Sequence, residues 1–470
     1  MTDSSTRVEE HLRRWMASAP PGSRLPSSRA LVAHLHVSPV TVQSAVGRLA
    51  ALGLVESRPG AGTFLRGTGP RTASDHRWQT AALALTGGEP RGLPAALRPA
   101  AEGRIALHAA YPEPDLLPRR LLQSAWSRVG RTESALRRPP AAGLPELRSW
   151  FAQAIGGSAG TGAPSSTDVT IVPGSQSGLA ATFGALVGAG RPILMESPTY
   201  WGAILAARHI GARIVAVPTG PQGPDPDQVR MAFEETGART FYAQPAWANP
   251  TGSCWAPDRA RAIMEIVRSR GAFLIEDDYA RDFGIAPGPE PLAADDPDGH
   301  VVHLRSLTKS VSPSVRVAAV IARGPARARI QGACQAESMY VSAALQEVAM
   351  EVVTRPAWKT HLRHLRGELE QRRDAMVQAV HQHIPEARLE TIPTGGLHLW
   401  LQLPELGDMP DFIAACEARG VVVAGGDEWF PAEPAGSHLR LSYSGPQPEE
   451  HPEAVRRIGE ALRERLEAQG

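Results

Sequence analysis

Lysine is almost missing from this chain. Of its 49 basic residues only two, Lys309 and Lys359, are lysines, so arginine carries nearly all of the positive charge. An arginine side chain cannot lose its proton at physiological pH, whereas a lysine amine can be tuned to do so and then act as a nucleophile. Either lysine is therefore a candidate for chemistry that requires an amine.

Cysteine is scarce as well. Cys254, Cys334 and Cys416 are far apart, with neither the spacing of a metal site nor the even number expected for a disulfide framework. The sequence also lacks the apolar run of a membrane-spanning helix, and the polar stretch 1–10 is unlike a signal peptide. These absences predict a cytoplasmic protein without a membrane partner.

Net charge is small but unevenly distributed. The formal charge of the whole chain is +1, yet residues 1–71 contain nine arginines and four acidic residues, which leaves the remainder net acidic. A small basic region attached to an acidic body favours a nucleic-acid partner for that region. On charge alone, an ordinary solvated surface is an equally good interpretation.

The chain divides into three sections by pattern. Residues 1–66 alternate short helical patterns with turns, and residues 67–103 are rich in Gly, Pro, Ala and Arg without sustained periodicity, as expected of a linker. In residues 104–470 apolar strand-like runs alternate with helical segments. This alternation predicts an α/β domain with a mostly parallel central sheet, and the family resemblance described below adds a smaller C-terminal α+β subdomain.

The first section has the pattern of a helix-turn-helix followed by a hairpin. Ser38 suits the N-cap and Pro39 the first turn of a third helix, in which we expect a buried stripe of Val42, Ala45, Val46, Leu49 and Leu52. Strand-like segments then flank Arg58-Pro59-Gly60-Ala61-Gly62, which predicts a β-hairpin with a glycine-rich tip.

The motifs Gly22–Arg29, Val37–Val42 and Gly60–Phe64, in this order, resemble the winged helix of the GntR family. The resemblance implies that Arg24, Arg29, Thr41 and the wing contact double-stranded DNA. Pro39 stands where the family often has arginine, which removes one expected contact. Our candidate DNA-binding residues are Arg24, Arg29, Ser38, Thr41, Gln43, Ser44, Arg48, Arg58, Gly60 and Gly62.

Polar residues follow many of the apolar runs in the third section. Ligand sites of such sheets lie beyond the carboxyl ends of the strands, so these polar residues are expected to meet. They are Gly174-Ser175-Gln176, Ser197-Pro198-Thr199-Tyr200, Asn249-Pro250-Thr251-Gly252, Glu276-Asp277-Asp278-Tyr279, Ser306-Leu307-Thr308-Lys309 with Arg316, and Arg440 inside a late strand. A lysine, an acid, phosphate donors and a carboxylate-binding arginine are what a pyridoxal-phosphate site requires.

Each of these motifs alone has an ordinary structural explanation, but their joint order resembles the fold-type I aminotransferases over residues 105–470. The resemblance implies pyridoxal 5'-phosphate as cofactor, with Lys309 forming the internal aldimine and Asp277 pairing with the pyridine nitrogen. Because Glu276 and Asp278 are adjacent, the acid stays open among the three, with Asp277 preferred. The other implied roles are stacking on the ring by Tyr200, contact with the ring hydroxyl by Asn249 and Tyr279, phosphate binding by Ser175, Gln176, Ser306 and Arg316, and binding of an effector carboxylate by Arg440.

One segment departs from the aminotransferase pattern. Where that family often has a tyrosine that reaches the phosphate across the dimer, this chain has Arg138-Pro139-Pro140-Ala141-Ala142. The departure bears on transaminase competence more than on cofactor binding. The histidine pairs 361/364 and 381/383 lack nearby carboxylate or cysteine clusters, so no metal is predicted.

The two halves in this order resemble the MocR/GabR-type subfamily of GntR regulators. The resemblance implies a transcriptional regulator that senses pyridoxal phosphate or an amino compound, without physiological turnover but with residual transaminase activity. It also implies a homodimer, in which each DNA-binding domain packs on the other subunit's large domain. Two alternatives remain: a working aminotransferase with an accessory DNA-binding domain, and a DNA-binding protein whose large domain is only a dimerisation scaffold.

Overall fold

The computed structural model describes residues 4–66, 94–109, 111–155, 162–445 and 447–469, with a few positions between 75 and 82. The chain separates into two compact units, residues 1–91 and 92–470. Most of the predicted linker, residues 67–103, lies outside the described residues, so the domain bounds 1–66 and 104–470 stay predictions. At the linker's C-terminal end, Ala95–Leu97 forms a turn of 3-10 helix in which Ala96 is buried.

Within residues 4–66 the first unit has three helices and a two-stranded antiparallel hairpin. The side chains of Ser27 and Ser38 accept hydrogen bonds from the backbone N–H groups of Ala30 and Thr41, which caps the second and third helices. The elements are α1 (Ser4–Ser18), α2 (Ser28–Leu35), α3 (Pro39–Ala51), β1 (Val55–Arg58) and β2 (Gly62–Leu65).

The core of this unit is formed by one face of each helix. Val42, Ala45 and Leu49 of α3 are fully buried against Val8 and Leu12 of α1, as their spacing predicts. The expectation for Leu52 is wrong, because the helix ends at Ala51 and the side chain of the C-cap residue Leu52 is 59% exposed.

The second unit is organised around a sheet that has eight strands among the described residues. Its strand order is β4-β11-β10-β9-β8-β5-β6-β7, and β10, β9, β8, β5 and β6 run parallel to their neighbours in that stretch. This confirms the predicted α/β class with a mostly parallel sheet. The strands are β4 (Val169–Val172), β5 (Pro192–Ser197), β6 (Arg213–Gly220), β7 (Gly223–Pro224), β8 (Thr240–Ala243), β9 (Phe273–Asp278), β10 (Val301–Ser306) and β11 (Ala318–Ile321).

Helices cover both faces of this sheet, as buried parallel strands require. On one face α6, α7 and α10 pack against side chains such as Met195 and Leu304. On the other face α4, α5, α8, α9 and α11 pack against side chains such as Leu194 and Leu274. The helices are α4 (Arg119–Val129), α5 (Pro145–Ile155), α6 (Ser175–Leu186), α7 (Trp201–His209), α8 (Pro226–Thr236), α9 (Pro257–Ser269), α10 (Gly324–Ser338) and α11 (Ala343–Val353).

A smaller α+β subdomain completes the second unit. Its antiparallel sheet has the order β12-β13-β16-β15, and a separate parallel pair joins β14 to β3. The remaining elements are β3 (Ile105–Ala106), α12 (Pro356–His383), β12 (Arg388–Leu389), β13 (His398–Gln402), α13 (Met409–Ala418), β14 (Val421–Val422), β15 (Ala424–Gly425), β16 (His438–Ser442) and α14 (His451–Glu467). Within the described part of the chain, no helix has the length and apolar character needed to span a membrane.

Candidate cofactor pocket and DNA-binding surface

One cavity at the carboxyl ends of the parallel strands gathers the polar residues expected to meet there. All nine predicted cofactor-binding residues line it: Ser175, Gln176, Tyr200, Asn249, Asp277, Tyr279, Ser306, Lys309 and Arg316. The predicted effector residue Arg440 is fully buried behind this lining. The structure therefore brings into one place nine predicted residues that are spread over positions 175–316 of the chain.

Asp277 at the end of β9 is held by two donors. Tyr242 donates its hydroxyl hydrogen to Asp277 Oδ2 at 2.8 Å, and Gln244 donates from Nε2 to the same oxygen at 2.9 Å. The second oxygen, Oδ1, is buried in the pocket wall without any hydrogen-bond partner among the described residues. Burial raises the pKa of Asp277, while the two hydrogen bonds and the nearby Lys309 lower it. A buried acceptor left open in this way suits a ligand N–H group.

The two neighbouring acids project from the other face of β9. Glu276 accepts backbone hydrogen bonds from Leu292 and Ala293 and lies 2.8 Å from the ring nitrogen Nδ1 of His303. Asp278 pairs with Arg281 at 2.7 Å. Since side chains alternate across a strand, Asp277 is the one acid of the three that lines the pocket.

Lys309 lies on the floor of the pocket close to two tyrosine rings. Its Nζ is 4.4 Å from the ring centre of Tyr279 and 6.0 Å from that of Tyr111. Burial and the positive charge of Arg440 together lower the pKa of Lys309 to about 7, although Asp277 opposes the shift. This shift favours the uncharged form of the amine near neutral pH, which is the nucleophilic form.

Backbone N–H groups and a cation meet where helix α6 begins at the pocket. Helix α6 begins at Ser175, and the first N–H groups of a helix are free to bind an anion. The Arg316 guanidinium lies across Gly174, where a Cβ would be only 2.4 Å from Nη2, so a side chain at position 174 would displace the arginine. Ser306 also lines this end and shares a 2.7 Å hydrogen bond with Thr308. The set suits a phosphate group.

Gln176 and Tyr200 form a pair in the pocket wall. The Gln176 amide donates to the carbonyl oxygen of Gly202 at 2.7 Å, and its Oε1 accepts a hydrogen bond from the Tyr200 hydroxyl at 3.2 Å. The side chain of Gln176 is thus engaged in orienting Tyr200. For the predicted phosphate contact, Gln176 therefore has only its backbone N–H available. Tyr200 lines the pocket, and its predicted stacking on a planar ring stays a prediction.

Arg440 and Asn249 belong to one buried hydrogen-bonded group. Arg440 donates from Nη1 to Asn249 Oδ1 at 3.2 Å and from Nη2 to the carbonyl oxygen of His108 at 2.6 Å. Its guanidinium lies 4.5 Å from the ring centre of Trp429, whose Nε1 also donates to Asn249 Oδ1. Burial lowers the pKa of Arg440 to about 10, so it is cationic at neutral pH. Asn249 lines the pocket, and its amide nitrogen can donate a hydrogen bond to a ligand there.

Sequence reasoning missed several residues of this site. Three of them, Tyr111, Gln244 and Thr308, line the pocket. A fourth, Tyr242, donates a hydrogen bond to Asp277. Gln244 and Thr308 follow β8 and β10, so the positional signal that found Asn249 and Lys309 was present for them as well. Tyr111 lies in an irregular segment after β3, where no periodic pattern indicates which side chain turns inward.

The candidate DNA-binding residues of the first unit fall into two groups. Arg24, Arg29, Ser38, Gln43 and Ser44 are exposed, and Thr41 is half-buried because it also bonds to Ser38 at the start of α3. The arginines of the second group are already paired: Arg48 lies 3.3 Å from Glu9, and Arg58 pairs with Glu56 and covers the ring of Phe64.

The glycines of the wing, Gly60 and Gly62, both have a positive φ. A side chain at position 62 would also collide with Arg24, which lies across the hairpin. Gly62 therefore allows Arg24 to reach over the wing.

Comparisons with known proteins cover both units. The family described as aminotransferase class I and II matches residues 111–458, and the bacterial regulatory proteins of the gntR family match residues 4–65. The 2-aminoadipate transaminase of Thermus thermophilus is 31% identical over 369 residues, which is 77% of this chain and 90% of that enzyme. The chain belongs to the class I and II aminotransferase family.

Other relatives extend this likeness. The HTH-type transcriptional regulator YdcR of Escherichia coli, itself described as uncharacterized, is 26% identical over 98% of this chain and 99% of its own length. A crystal structure of the α-aminoadipate aminotransferase LysN from T. thermophilus, complexed with N-(5'-phosphopyridoxyl)-L-leucine, superposes with a TM-score of 0.72 at 27% identity. It covers 78% of this chain and 94% of the enzyme. A GntR-type domain joined to an aminotransferase domain is the architecture of MocR-type regulators, which confirms the predicted resemblance.

This family membership indicates pyridoxal 5'-phosphate as the cofactor. The residues present fit that group on two observations. The unpartnered Asp277 Oδ1 matches a protonated pyridine nitrogen, and the cradle of Gly174, Arg316 and the start of α6 matches a phosphate. The Lys309 amine lines the same pocket as these two groups.

Proposed function

We propose that this protein is a transcriptional regulator that binds operator DNA through its winged helix and senses pyridoxal phosphate, or an amino compound that reacts with it, through the aminotransferase-like pocket. The observation that carries the proposal is the pairing of a capped helix-turn-helix, with Arg29, Gln43 and Ser44 exposed, and a full set of cofactor-binding residues in one chain. The likeness of the whole chain to an HTH-type regulator supports it.

The geometry of the pocket supports the roles that we assign to its residues. Ser306, Arg316 and the backbone N–H groups of Ser175 and Gln176 hold the phosphate. Asp277, fixed by Tyr242 and Gln244, accepts the pyridine N–H, and Asn249 and Tyr279 face the ring hydroxyl. When bound, the cofactor supplies an aldehyde that condenses with primary amines and a ring that withdraws electrons.

Lys309 and Arg440 are the two groups that respond to the effector. The Lys309 amine binds the cofactor carbonyl and is the group that an effector amine displaces. Arg440 is the cation within the same buried group as Asn249, and we assign it the effector's carboxylate. The Nε of Arg440 has no hydrogen-bond partner among the described residues and can donate to a carboxylate, and a two-point contact would then exchange or share its bond to Asn249 Oδ1 or to the His108 carbonyl oxygen. That exchange is a local change that a sensor needs.

The test of this function is binding of the full-length protein to an operator selected from random duplexes, measured by fluorescence anisotropy. Pyridoxal phosphate alone, or together with a single amino acid, is expected to change the operator affinity. The size expected for coupling of ordinary strength, about 1–3 kcal/mol, is several-fold to about a hundredfold. Failure to select any duplex sequence would contradict the proposed regulator.

A working aminotransferase is the second candidate, favoured by the 31% identical relative named as a transaminase and by the full pocket. Mixing the cofactor-loaded protein with L-2-aminoadipate, and in parallel with other amino acids, separates the two candidates. Rapid multiple turnover with a keto-acid acceptor, together with no ligand effect on DNA binding, would favour the enzyme. Slow single conversion together with a ligand effect supports the regulator.

A further inference from the structure

A second cavity, of about 500 Å³, lies beside the cofactor pocket and shares none of its lining residues. It opens at the ends of β5 and β6, next to the antiparallel sheet of the small subdomain. Its volume is within the range of cavities that hold small organic ligands. The lining residues that matter for its chemistry are Thr219, Glu390, Trp400, Phe430, Glu433 and His438.

One wall of the cavity is aromatic. The rings of Trp400 and His438 are stacked, with centres 4.9 Å apart and planes 12° apart, and Phe430 lies 6.2 Å from Trp400 and 5.4 Å from His438. Such a surface accommodates the apolar body of a ligand. The negative face of an aromatic ring, and of an indole above all, also attracts a cation.

The charged groups of the cavity are acidic and unpaired. Glu390 and Glu433 are exposed at its rim, and neither makes an ion pair or hydrogen bond within the described part of the chain. No lysine or arginine is among the residues that line this cavity. An anionic ligand would be repelled here, whereas a cation gains two carboxylates without displacing any existing partner.

His438 adds an acceptor inside the cavity. It is only 8% exposed, and its Nδ1 donates to the carbonyl oxygen of Gly436 at 2.9 Å. Burial lowers the pKa of His438, so the ring is neutral at neutral pH and Nε2 carries a lone pair. No described residue donates to this Nε2. An imidazole acceptor without a described donor, in a cavity that two carboxylates also line, suits a positively charged N–H donor.

We propose that this cavity binds an organic cation, an amine or ammonium compound with an apolar body, that rests on Trp400 and Phe430 and is held by Glu390 and Glu433. The proposal goes beyond the proposed function and does not depend on it, because neither the cofactor pocket nor the winged helix supplies any of these residues.

The wall on which this cation rests is connected to the cofactor pocket through Trp429. Trp400 packs at 6.1 Å against Trp429, which donates to Asn249 of the pocket lining. Ala95, in the described C-terminal end of the predicted linker, packs on the same aromatic cluster and donates its N–H to Glu428. An occupant of the second cavity therefore touches a cluster that contacts both the cofactor pocket and the end of the linker.

The probe that tests this site is benzyltrimethylammonium, titrated by calorimetry into the full-length, cofactor-loaded protein. This compound has no N–H and cannot condense with an aldehyde, so it does not report on the cofactor pocket. We expect saturable binding of one equivalent in the millimolar range or tighter. The double variant Glu390→Gln/Glu433→Gln should weaken it by about fivefold or more, since both substituted side chains are exposed and the fold is retained.

Two controls make the test specific. Glu386→Gln, also an exposed glutamate without a described partner, should bind the probe as wild type does. Benzyl alcohol, neutral and of similar shape, should bind at least about fivefold more weakly than the cation. The proposal is overturned by absence of saturable binding at tens of millimolar, by equal binding of the alcohol, or by probe affinity that the glutamine pair leaves unchanged.

Discussion

The charge state of Lys309 is set by two oppositely charged neighbours and by its enclosure. Burial and Arg440 lower the pKa of its amine to about 7, and Asp277 acts in the opposite direction. The uncharged amine is the form that attacks a carbonyl. The rate at which cofactor attaches to the apoprotein should therefore rise with pH through about 7 and level off above it.

The Arg440→Gln variant tests the electrostatic part of this explanation. Removing the positive neighbour raises the pKa of Lys309, so the midpoint of the rate profile should move to higher pH. Stopped-flow absorbance over a series of buffers measures both profiles. A midpoint that stays in place, or moves to lower pH, would show that Arg440 does not act on the lysine through charge.

The choice among three adjacent carboxylates can also be tested residue by residue. Asp277→Asn keeps the shape and the neighbours Tyr242 and Gln244 but removes the charge that faces the pocket. Cofactor affinity should fall about tenfold or more, as loss of a charged hydrogen-bond partner implies. Asp278→Asn should leave the affinity within about twofold but lower stability by about 1–3 kcal/mol, because Arg281 loses its partner.

Equilibrium titration with pyridoxal phosphate measures the cofactor affinity of both variants, and thermal unfolding measures their stability. A large loss of affinity in Asp278→Asn, with Asp277→Asn unaffected, would move the cofactor contact to the other face of β9. The sequence alone left this choice open because all three acids follow the same apolar run. Strand alternation separates them only once the strand and its buried faces are known.

Single-residue roles were less predictable where a side chain has more than one available partner. The sequence placed Gln176 in the phosphate site by its position at a helix start, but its amide is engaged by Gly202 and Tyr200. Arg440 was found because an arginine inside an apolar strand is unusual. Its bonds to Asn249 and the His108 carbonyl depend on contacts between distant segments, which no local pattern encodes.

At the scale of elements, the backbone conformation at the junction of β4 and α6 determines whether the phosphate end of the pocket can form. Gly174 has a φ of 97°, and a methyl group there would lie 2.4 Å from the Arg316 guanidinium. Gly174→Ala should strain the backbone and also push Arg316 out of the phosphate end of the pocket. We expect affinity for pyridoxal phosphate to fall about tenfold, while affinity for pyridoxal, which lacks the phosphate, changes little.

Gly188 is the matched control for this junction. It follows α6, has a φ of 79°, and has open space where its Cβ would stand. Gly188→Ala should lower stability by about 1 kcal/mol through backbone strain and leave both affinities unchanged. If the two alanine variants lose affinity for pyridoxal phosphate equally, strain alone, and not displacement of Arg316, is responsible.

Elements with strong local signals were predicted well. The Ser38-Pro39 start and the apolar stripe correctly located α3. The predicted burial of Leu52 was wrong because the helix ends one residue earlier than the stripe suggests. Alternating strands and helices gave the parallel sheet of the second unit. The order of its strands, with β11 inserted antiparallel between β4 and β10, follows from long-range packing that periodicity does not report.

At the scale of the whole molecule, charge is segregated between the two compact units, and Arg29 is the clearest test of its purpose. Arg29 is exposed on α2 and makes no hydrogen bond or ion pair within the described residues. Arg29→Ala should weaken binding to a random-sequence duplex and reduce the slope of log affinity against log salt by about one. Arg13→Ala removes an arginine paired with Glu9 at 2.9 Å and should change the slope much less.

Fluorescence anisotropy at a series of salt concentrations measures both slopes on the full-length protein. Equal slopes for wild type and Arg29→Ala would exclude a phosphate contact at this position. The exposed polar side chains of Gln43 and Ser44 lie at the start of α3 and are expected to act differently, through base edges, so their loss should alter sequence preference without changing the salt slope.

The proposed sensor function requires coupling between the two units, and Lys309 is the residue at which we expect to break it. A ligand shifts an equilibrium between two arrangements only if its affinity differs between them. Lys309 lies in the second compact unit, among the pocket residues, while the exposed DNA-binding candidates lie in the first. Lys309→Ala should therefore bind the selected operator as the ligand-free wild type does, but lose the several-fold to hundredfold response to pyridoxal phosphate.

The only other lysine of the chain provides the control. Lys359 is exposed on α12 and does not line the cofactor pocket, so Lys359→Ala should respond to the ligand as wild type does. Borohydride reduction and peptide mapping of the wild type should place the cofactor on Lys309 and leave Lys359 unmodified. If Lys309→Ala still responds fully to the ligand, the signal arises elsewhere in the molecule, and the cavity beside Trp400 becomes the next place to examine. If the wild type shows no response to any ligand and yet transaminates rapidly, the aminotransferase with an accessory DNA-binding domain is the better description.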